Sequence, residues 1–250
     1  MIDIHTHVVY GVDDGSRSSE MSREMLRQAA AGGVTGICCT SHARPGHRTF
    51  PMADYREHLE DLRCFIREEG LDLHLYEGCE IMYTSVAAET VRADALPTLG
   101  GTETVLIEFM PETPWGMIQH AAREMTNAGF GVLVAHVERY NCLRDEASWL
   151  EELKDMGCLL QMNADTVLRS RGFLGDRWAK KALKAGLIDV VASDMHNLTS
   201  RKPNLAEARN ALKREYGEDF ARLLTEENPR QILEGPPRRG NPGRRSRNGW

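Results

Sequence analysis

The stretch Met1-Ile2-Asp3-Ile4-His5-Thr6-His7 opens the sequence and decides the fold prediction. Its two isoleucines alternate with Asp3, His5 and His7, which is typical of a β-strand that carries all three polar side chains on one face. Two histidines two residues apart at the end of a strand lie close enough to bind one metal ion. Alone, such a pair is more often structural than a metal ligand.

A second pair with the same spacing lies near the other end of the sequence. The apolar run Val190-Val191-Ala192 leads into Ser193-Asp194-Met195-His196, so Asp194 and His196 again follow a predicted strand at positions i and i+2. Together, the two pairs favour an enzyme built around bound metal ions.

Apolar runs and helical patterns alternate between these pairs, which predicts a parallel α/β fold. The predicted strands cover residues 34–40, 71–79, 104–107, 131–135, 158–162 and 188–192, in addition to the first one. The first predicted helix begins within residues 16–19 and ends at Gly32-Gly33. The next predicted helices cover residues 54–69, 114–128, 148–156, 177–185, 203–216 and 218–224. A last short helix is predicted to start at Asn228-Pro229.

Most of these predicted strands end in a potential metal ligand. Beside the two pairs, the strand-end residues are His42, Glu80, Glu108 and His136. The carboxyl ends of parallel strands converge on one mouth only when the sheet closes, because an open sheet would spread these side chains along a line. The pattern therefore favours a closed or nearly closed (β/α) barrel.

Length and composition are compatible with this fold. A chain of 250 residues fits one large barrel domain or two small domains, and 41% hydrophobic with 27% charged residues is ordinary for a soluble protein. No apolar run reaches the length of a membrane span. Because the first motif begins at Asp3, we expect no secretory signal peptide and a cytoplasmic location.

Charge is distributed unevenly along the chain. The overall net charge is −6. The last sixteen residues, 235–250, hold five arginines and no acidic residue, so the rest of the chain has a net charge of −6 − 5 = −11. An acidic body argues against nucleic-acid binding. The terminal stretch lacks periodicity, so we expect a barrel domain at residues 1–234 and a disordered basic tail at 235–250.

Nine side chains are candidates to bind the metal ions directly: His5, His7, Asp14, His42, Glu80, Glu108, His136, Asp194 and His196. Five imidazoles and four carboxylates exceed the needs of one ion and suit two or three divalent ions with bridging carboxylates. Nitrogen and oxygen ligands without thiolate indicate Mn²⁺, Fe²⁺ or Zn²⁺. We expect hydrolysis, in which a metal-bridging hydroxide attacks and the ions stabilise the attacking and leaving oxygens.

Two arginines follow ligand-bearing strands. Arg139 lies three residues after His136, and Arg201 lies five residues after His196, so either guanidinium group could bind a substrate phosphate. A surface salt bridge is the alternative for each. His47, His58, His74 and His120 follow no predicted strand, and we expect them to be ordinary.

A thiol-dependent mechanism is the main chemical alternative. Cys38 and Arg44 have the C-x₅-R spacing of thiol-dependent tyrosine phosphatases, but no glycine lies between them to form the phosphate-binding loop. The six cysteines are scattered without a C-x-x-C motif, and in a reducing compartment we expect them to be free and buried.

The sequence resembles a known family in seven motifs. They are Met-Ile-Asp-Ile-His-Thr-His at 1–7, Val-Asp-Asp-Gly at 12–15, Thr-Ser-His at 40–42, Glu-Ile-Met-Tyr-Thr-Ser at 80–85, Leu-Ile-Glu-Phe at 106–109, Val-Ala-His-Val-Glu-Arg-Tyr at 134–140 and Ala-Ser-Asp-Met-His-Asn at 192–197. The family is that of the manganese-dependent protein-tyrosine phosphatases of the PHP superfamily, the CpsB type of capsular and exopolysaccharide biosynthesis.

The resemblance implies a distorted (β/α)₇ barrel that holds three Mn²⁺ ions. By motif, one ion would bind His5, His7, Glu80 and Asp194, and a second would bind Glu80, Glu108 and His136. The third would bind Asp14, His42 and His196. Arg139 and Arg201 match the phosphate-binding arginines of the family.

The implied substrate is phosphotyrosine on a cognate bacterial tyrosine kinase that regulates polysaccharide synthesis. Recruitment to the membrane through that kinase and a homo-oligomeric state stay open. The basic tail departs from the family pattern. Two alternatives also stay open: a small-molecule phosphatase such as histidinol phosphatase or a phosphodiesterase, and a non-catalytic metal-binding barrel that binds a kinase.

Overall fold

Seven parallel strands form one sheet in chain order in the computed structural model, which describes residues 1–170 and 176–235. The strands are β1 (Ile2–Thr6), β2 (Gly36–Ala43), β3 (His74–Met82), β4 (Thr104–Glu108), β5 (Gly131–Val134), β6 (Leu159–Asn163) and β7 (Val190–Ala192). Asp194 N donates a hydrogen bond of 2.9 Å to His5 O, and His7 N donates one of 2.9 Å to Met195 O. These bonds join β1 to the segment after β7, so the predicted barrel is confirmed as nearly closed.

Helices surround the strands along the described chain. They are α1 (Ser19–Ala31), α2 (Met52–Glu69), α3 (Ala87–Arg92), α4 (Trp115–Asn127), α5 (Asn141–Asp145), α6 (Ser148–Asp155), α7 (Ala164–Arg169), α8 (Arg177–Lys184), α9 (Leu205–Tyr216), α10 (Glu218–Arg222) and α11 (Asn228–Leu233). Two 3₁₀ turns cover Leu99–Gly101 and Val137–Arg139, and a π-helical turn covers Leu223–Glu227.

Helix boundaries follow local chemistry where the sequence provides it. Ser18 caps α1, because its hydroxyl accepts a hydrogen bond from the backbone N–H of Met21. Pro114 directly precedes α4, at a position where a missing N–H costs nothing. The short helices α3, α5 and α7 were not predicted, because five or six residues are too few to show a helical period.

The apolar core has two parts. The larger lies between the strands and the surrounding helices, and the smaller lies inside the barrel, where Ile2, Ile4 and Leu133 meet Leu233 of α11. At this closed end, Gly100 (φ +60°) approaches the backbone so closely that a Cβ atom would lie 2.4 Å from Leu233 O. A side chain at position 100 would therefore displace the helix that closes the barrel.

The first strand contains a shift in register that the sequence did not predict. Ile2 lies opposite Gly36, but Thr6 lies opposite Cys39, so β1 has one extra residue between Asp3 and Thr6. Such a bulge reverses the face that later residues present. The prediction that Asp3, His5 and His7 share one face by simple alternation is therefore wrong for Asp3, which precedes the bulge and accepts a hydrogen bond from Ser193 N.

The described residues include the predicted barrel domain for the most part, but almost none of the predicted tail. The last described helix ends at Leu233. The predicted basic tail lies outside the described residues apart from Gly235, so the division at residues 234 and 235 stays a prediction. Among the described residues, no helix combines the length and the apolar character that a membrane crossing requires.

Candidate metal centre

The structure brings all nine predicted ligand side chains together at the carboxyl ends of the strands. They form four overlapping groups, in each of which one ligand atom per residue lies within 4.8 Å of the others. The groups are His5, His7 and Glu80; His5, His136 and Asp194; His42, Glu80 and Glu108; and His7, Asp14, His42 and His196. Four of these residues belong to two groups each, so the groups share ligands, and the division of the ligands among three ions that the resemblance implies stays a prediction.

One of these groups consists of His5, His7 and Glu80. The His5 Nε2 and His7 Nε2 atoms lie 3.2 Å apart, and each lies 3.2 Å from Glu80 Oε2. Ligands that surround one ion at bond lengths of about 2.1 Å lie about 3.0–3.4 Å from one another. This triangle of ligand atoms therefore fits a single divalent cation.

Glu80 connects this triangle to the opposite side of the centre. Its second carboxylate oxygen, Oε1, lies 2.8 Å from His136 Nε2. Its Oε2 atom also lies 3.1 Å from His42 Nδ1, which in turn lies 2.8 Å from Glu108 Oε1. A carboxylate that contacts four imidazoles is placed to bridge neighbouring ions.

The outer part of the centre is formed by Asp14, His42 and His196. Asp14 Oδ1 lies 3.3 Å from His42 Nε2 and 3.8 Å from His196 Nε2. The Nδ1 atom of His196 lies 2.9 Å from the backbone oxygen of Asp194, which directs Nε2 into the site. This Nε2 atom is buried and has no hydrogen-bond partner among the described residues, as expected of a nitrogen that binds a cation.

Asp13 orients the ligands, a role that was not predicted for it or for its neighbour Asp14. Its Oδ2 atom lies 2.8 Å from His7 Nδ1 and accepts a 3.0 Å hydrogen bond from His42 N. The Nδ1–H of His7 therefore points to Asp13, which leaves Nε2 free to bind a cation. Next to it, Gly15 is required because a Cβ atom there would lie 2.3 Å from His7 O.

Strand β6 provides no predicted ligand but orients three of them. Gln161 is completely buried, and its Oε1 atom lies 3.1 Å from His5 Nδ1. The same oxygen accepts a hydrogen bond of 2.6 Å from the backbone N–H of His136. Its amide nitrogen donates to Asn163 Oδ1 at 2.7 Å, and Asn163 Nδ2 donates to Asp194 Oδ2 at 2.8 Å. This chain of amides holds His5, His136 and Asp194 relative to one another.

Two of the ligands have left-handed backbone conformations. The φ angle is 29° at His136 and 54° at Asp194. Such conformations are costly for residues other than glycine, and they persist where the surrounding contacts enforce them. Both turns carry a side chain from the end of a strand back into the centre.

Electrostatics explains how the charged groups coexist in this cavity. Burial raises the pKa of Asp194 and Glu80, but the neighbouring cationic groups, with His5 first among them, together outweigh burial and hold both pKa values well below the usual range. Burial lowers the pKa of His7, yet the Asp13 and Glu80 carboxylates raise it to about 9. Burial, together with the positive charge on His7, lowers the pKa of His196 to about 2. The carboxylates therefore stay ionised, as metal binding requires.

Both predicted phosphate-binding arginines contact the same carboxylate. Arg139 Nη2 lies 2.6 Å from Asp194 Oδ2, and Arg201 Nη2 lies 2.6 Å from Asp194 Oδ1. Both side chains also line an open cavity of about 780 Å³ above the metal ligands His42, Glu108 and His136. Each arginine therefore does form a salt bridge, but its partner is the buried carboxylate of Asp194 and the salt bridge lies at the wall of the cavity.

The thiol-dependent alternative conflicts with the position of Cys38. This residue lies within β2, is completely buried in the barrel interior and does not line the cavity. Burial also raises the pKa of its thiol well above the ordinary value, which opposes formation of a nucleophilic thiolate. Of the histidines predicted to be ordinary, His47 lines the cavity.

Comparisons with known proteins agree with this geometry. Residues 1–234 match the family model for capsular polysaccharide synthesis, CpsB/CapC. The chain is 36% identical over 239 residues to the tyrosine-protein phosphatase CpsB of Streptococcus pneumoniae, covering 93% of this chain and 98% of that protein. It is 30% identical over 226 residues to the tyrosine-protein phosphatase YwqE of Bacillus subtilis (strain 168), covering 90% of this chain and 89% of that protein.

A solved structure extends the comparison to three dimensions. A chain from the crystal structures of YwqE from Bacillus subtilis and CpsB from Streptococcus pneumoniae, which are metal-dependent tyrosine phosphatases, superimposes with a TM-score of 0.86. It is 29% identical in sequence, and the superposition covers 94% of this chain and 95% of that chain.

Proposed function

The chain belongs to the CpsB/CapC family of capsular polysaccharide synthesis, and from this we propose how its centre hydrolyses phosphotyrosine in a protein substrate. It is a metal-dependent protein-tyrosine phosphatase. The observation that carries this function is the cluster of nine ligand side chains at one end of the barrel, beside two arginines. A non-catalytic metal-binding barrel would need neither arginine at the cavity wall.

The proposed ligands are His5, His7, Asp14, His42, Glu80, Glu108, His136, Asp194 and His196. Bound divalent ions would supply an activated water at neutral pH and would neutralise the phosphoryl charge. Glu80 holds the two halves of the centre together, and Asp13 and Gln161 keep the Nε2 atoms of His7 and His5 directed inward. The cavity above these residues leaves room for a side chain as large as phosphotyrosine.

Arg139 and Arg201 bind the substrate phosphate in this proposal. Each guanidinium group has further N–H donors besides the one directed at Asp194, and such donors match the oxygens of a phosphoryl group in a planar arrangement. Because both arginines contact Asp194, they also fix the position of a ligand. A substrate phosphate would therefore be held at a constant distance from the metal centre.

Mn²⁺ is the ion that we propose, with Fe²⁺ and Zn²⁺ as the alternatives. The centre combines five imidazoles with four carboxylates and has no thiolate among its grouped ligands. Mixed nitrogen and oxygen ligation with several carboxylates suits Mn²⁺ or Fe²⁺ better than a structural zinc site.

The substrate that we propose is a phosphorylated bacterial tyrosine kinase of the same polysaccharide system. A cytoplasmic location follows from that substrate, and the six cysteines agree with it because none forms a disulfide. Nucleic acid is not an expected partner, and recruitment to the membrane would occur through the kinase.

The test is turnover of a phosphotyrosine peptide, compared with a phosphoserine peptide and histidinol phosphate. Activity should disappear with EDTA, return with Mn²⁺, and be higher for phosphotyrosine than for the other two substrates. His136→Ala should remove it. Activity that resists EDTA would contradict the metal mechanism, and a preference for histidinol phosphate would contradict the substrate.

A further inference from the structure

The rim of the metal cavity contains two arginines that the proposed mechanism does not use. Arg44 and Arg48 follow β2, whose residue His42 is a proposed ligand, and both line the same cavity as Arg139 and Arg201. Both side chains are exposed. Within residues 1–170 and 176–235, neither has a carboxylate at ion-pair distance, in contrast to Arg139 and Arg201.

The loop that carries these arginines is held in place. The backbone N–H groups of His47 and Arg48 both donate to Arg44 O, at 3.1 and 3.0 Å. The hydroxyl of Thr84 donates to Pro45 O at 3.0 Å, which attaches the loop to the segment after β3. The two guanidinium groups are therefore presented from a structured loop next to the metal centre.

The same loop separates the metal cavity from a second one. The second cavity has a volume of about 390 Å³ and shares His47, Arg48, Thr49 and Phe50 with the first. Its other lining residues include Ala95 and Leu96. Residues 47–50 therefore border both cavities, and the second cavity adds room beside the metal cavity for substrate residues next to a phosphotyrosine.

We propose that Arg44 and Arg48 form an anion-binding subsite, which takes a second negatively charged side chain of the phosphopeptide substrate. A peptide that places its phosphotyrosine against Arg139 and Arg201 has to cross the rim of the cavity. Two arginines without carboxylate partners favour a negative group there, through charge-assisted hydrogen bonds. The inference rests on the proposed function, because it needs a phosphopeptide in the metal cavity.

Two chemical sources can supply this second negative group. One is the carboxylate of a glutamate or aspartate close to the phosphotyrosine, and the other is a second phosphotyrosine. Both would bind through the same guanidinium donors. The experiment therefore includes a separate peptide for each source.

The test measures binding of fluorescent peptides to the Mn²⁺-loaded protein by anisotropy. All peptides carry one non-hydrolysable difluorophosphonate analogue of phosphotyrosine. The first has alanines around it, the second has glutamates, and the third has a second analogue nearby. The charged peptides should bind about 10-fold more tightly than the alanine peptide at low salt. This difference should shrink at high salt, because exposed charges are screened.

Variants then assign the difference to the two arginines. The double variant Arg44→Ala/Arg48→Ala should bind all three peptides equally. The matched double variant Arg123→Ala/Arg214→Ala, which removes two exposed arginines outside both cavities, should keep the difference. Equal metal content in both variants shows that the centre is intact. Equal binding of the three peptides by the wild type, or an unchanged preference in Arg44→Ala/Arg48→Ala, overturns the proposal.

A separate assay distinguishes failure of this subsite from failure of the proposed function. Hydrolysis of p-nitrophenyl phosphate by the wild type, with EDTA and with restored Mn²⁺, reports on the metal centre without any peptide. Metal-dependent hydrolysis combined with equal peptide binding rejects the subsite alone. The binding assay needs no turnover, so its result stands even if hydrolysis is not found.

Discussion

The Nε2 atoms of His5 and His7 lie only 3.2 Å apart, and the other ring nitrogen of each histidine faces an acceptor. His5 Nδ1 lies 3.1 Å from Gln161 Oε1, and His7 Nδ1 lies 2.8 Å from Asp13 Oδ2. With a proton on each Nδ1, two lone pairs face each other in a buried site. A cation must lie between them, and either a proton or a metal ion can fill that role.

Metal binding should therefore release protons. In the metal-free protein, burial lowers the pKa of His7 and His42, but neighbouring carboxylates raise both to about 9, above the ordinary value of 6.5. Both imidazoles thus carry an extra proton at pH 7.5, and metal ligation needs the neutral form. We expect release of about two protons and a metal affinity that rises with pH up to about 9.

Calorimetric titration with Mn²⁺ under argon, in two buffers of different ionisation enthalpy, measures this release. His120→Ala serves as a control, because His120 is exposed on α4 and outside the centre. An affinity for Mn²⁺ that does not change between pH 7 and pH 8.5 would show that these imidazoles are already neutral.

Glu80→Gln should remove most of the metal and the activity. The carboxylate contacts His5, His7, His42 and His136, and a neutral amide cannot bridge cations in the same way. We expect affinity for Mn²⁺ to fall more than about 100-fold, since loss of an orienting partner alone costs 10- to 100-fold. Elemental analysis and kcat measure the two effects. Glu68→Gln on the exposed side of α2 is the matched control, and full metal content in Glu80→Gln would refute its role as a ligand.

Gln161→Leu should weaken metal binding without removing a ligand. The substitution leaves His5 Nδ1 and His136 N without their acceptor and breaks the connection to Asn163. A loss of about 10- to 100-fold in Mn²⁺ affinity is expected, with most of kcat recovered at saturating metal. The control is Gln28→Leu, at an exposed position of α1. Unchanged affinity in Gln161→Leu would mean that the ligands keep their positions without the amide.

Arg139→Lys and Arg201→Lys should each reduce kcat/KM for phosphotyrosine by about 10- to 100-fold. Lysine keeps the positive charge but loses the planar pair of donors, and charged hydrogen bonds are worth about 1.5–3 kcal/mol. Steady-state kinetics and elemental analysis separate loss of phosphate binding from loss of metal through Asp194. Arg209→Lys, whose arginine pairs with Glu218 and Glu226 away from the cavity, should behave as the wild type. A variant with normal kcat/KM would exclude that arginine from phosphate binding.

Cys38→Ser should keep the activity within about twofold. The thiol is buried within β2, and burial raises its pKa, so it cannot act as a nucleophile. The buried hydroxyl should lower the free energy of unfolding by about 1 kcal/mol, measured by urea denaturation. His136→Ala is the contrasting variant. Loss of turnover in a folded, metal-loaded Cys38→Ser protein would restore the thiol mechanism.

Much of the centre could be predicted because its ligands lie where apolar strands end. A run of buried residues precedes each of His42, Glu80, Glu108 and His136. In a parallel barrel, residues at the carboxyl ends of the strands lie around one site. The helices with a clear amphipathic period were predicted for the same reason. Both signals are local in sequence, so a single chain reveals them.

The residues that orient the ligands were not predicted, because they act through long-range contacts. Gln161 carries no charge and looks like any polar residue of a strand, yet it contacts His5 from 156 positions away. Asp13 could not be distinguished from Asp14, because only the folded loop shows which carboxylate faces His7. Arg44 and Arg48 belong to a loop whose position depends on contact with the segment after β3.

The bulge between Asp3 and Thr6 has a consequence for mutational tolerance of the first strand. Without the extra residue, a strand that buries Ile2 and Ile4 in the barrel would direct His5 and His7 toward the surrounding helices. Deleting one residue between Asp3 and Thr6 should therefore cost the protein either its barrel interior or its metal ligands. Point substitutions on the surface of the same barrel carry no such conflict. In the first strand, chain length thus limits what evolution or design can change, in addition to the identities of His5 and His7.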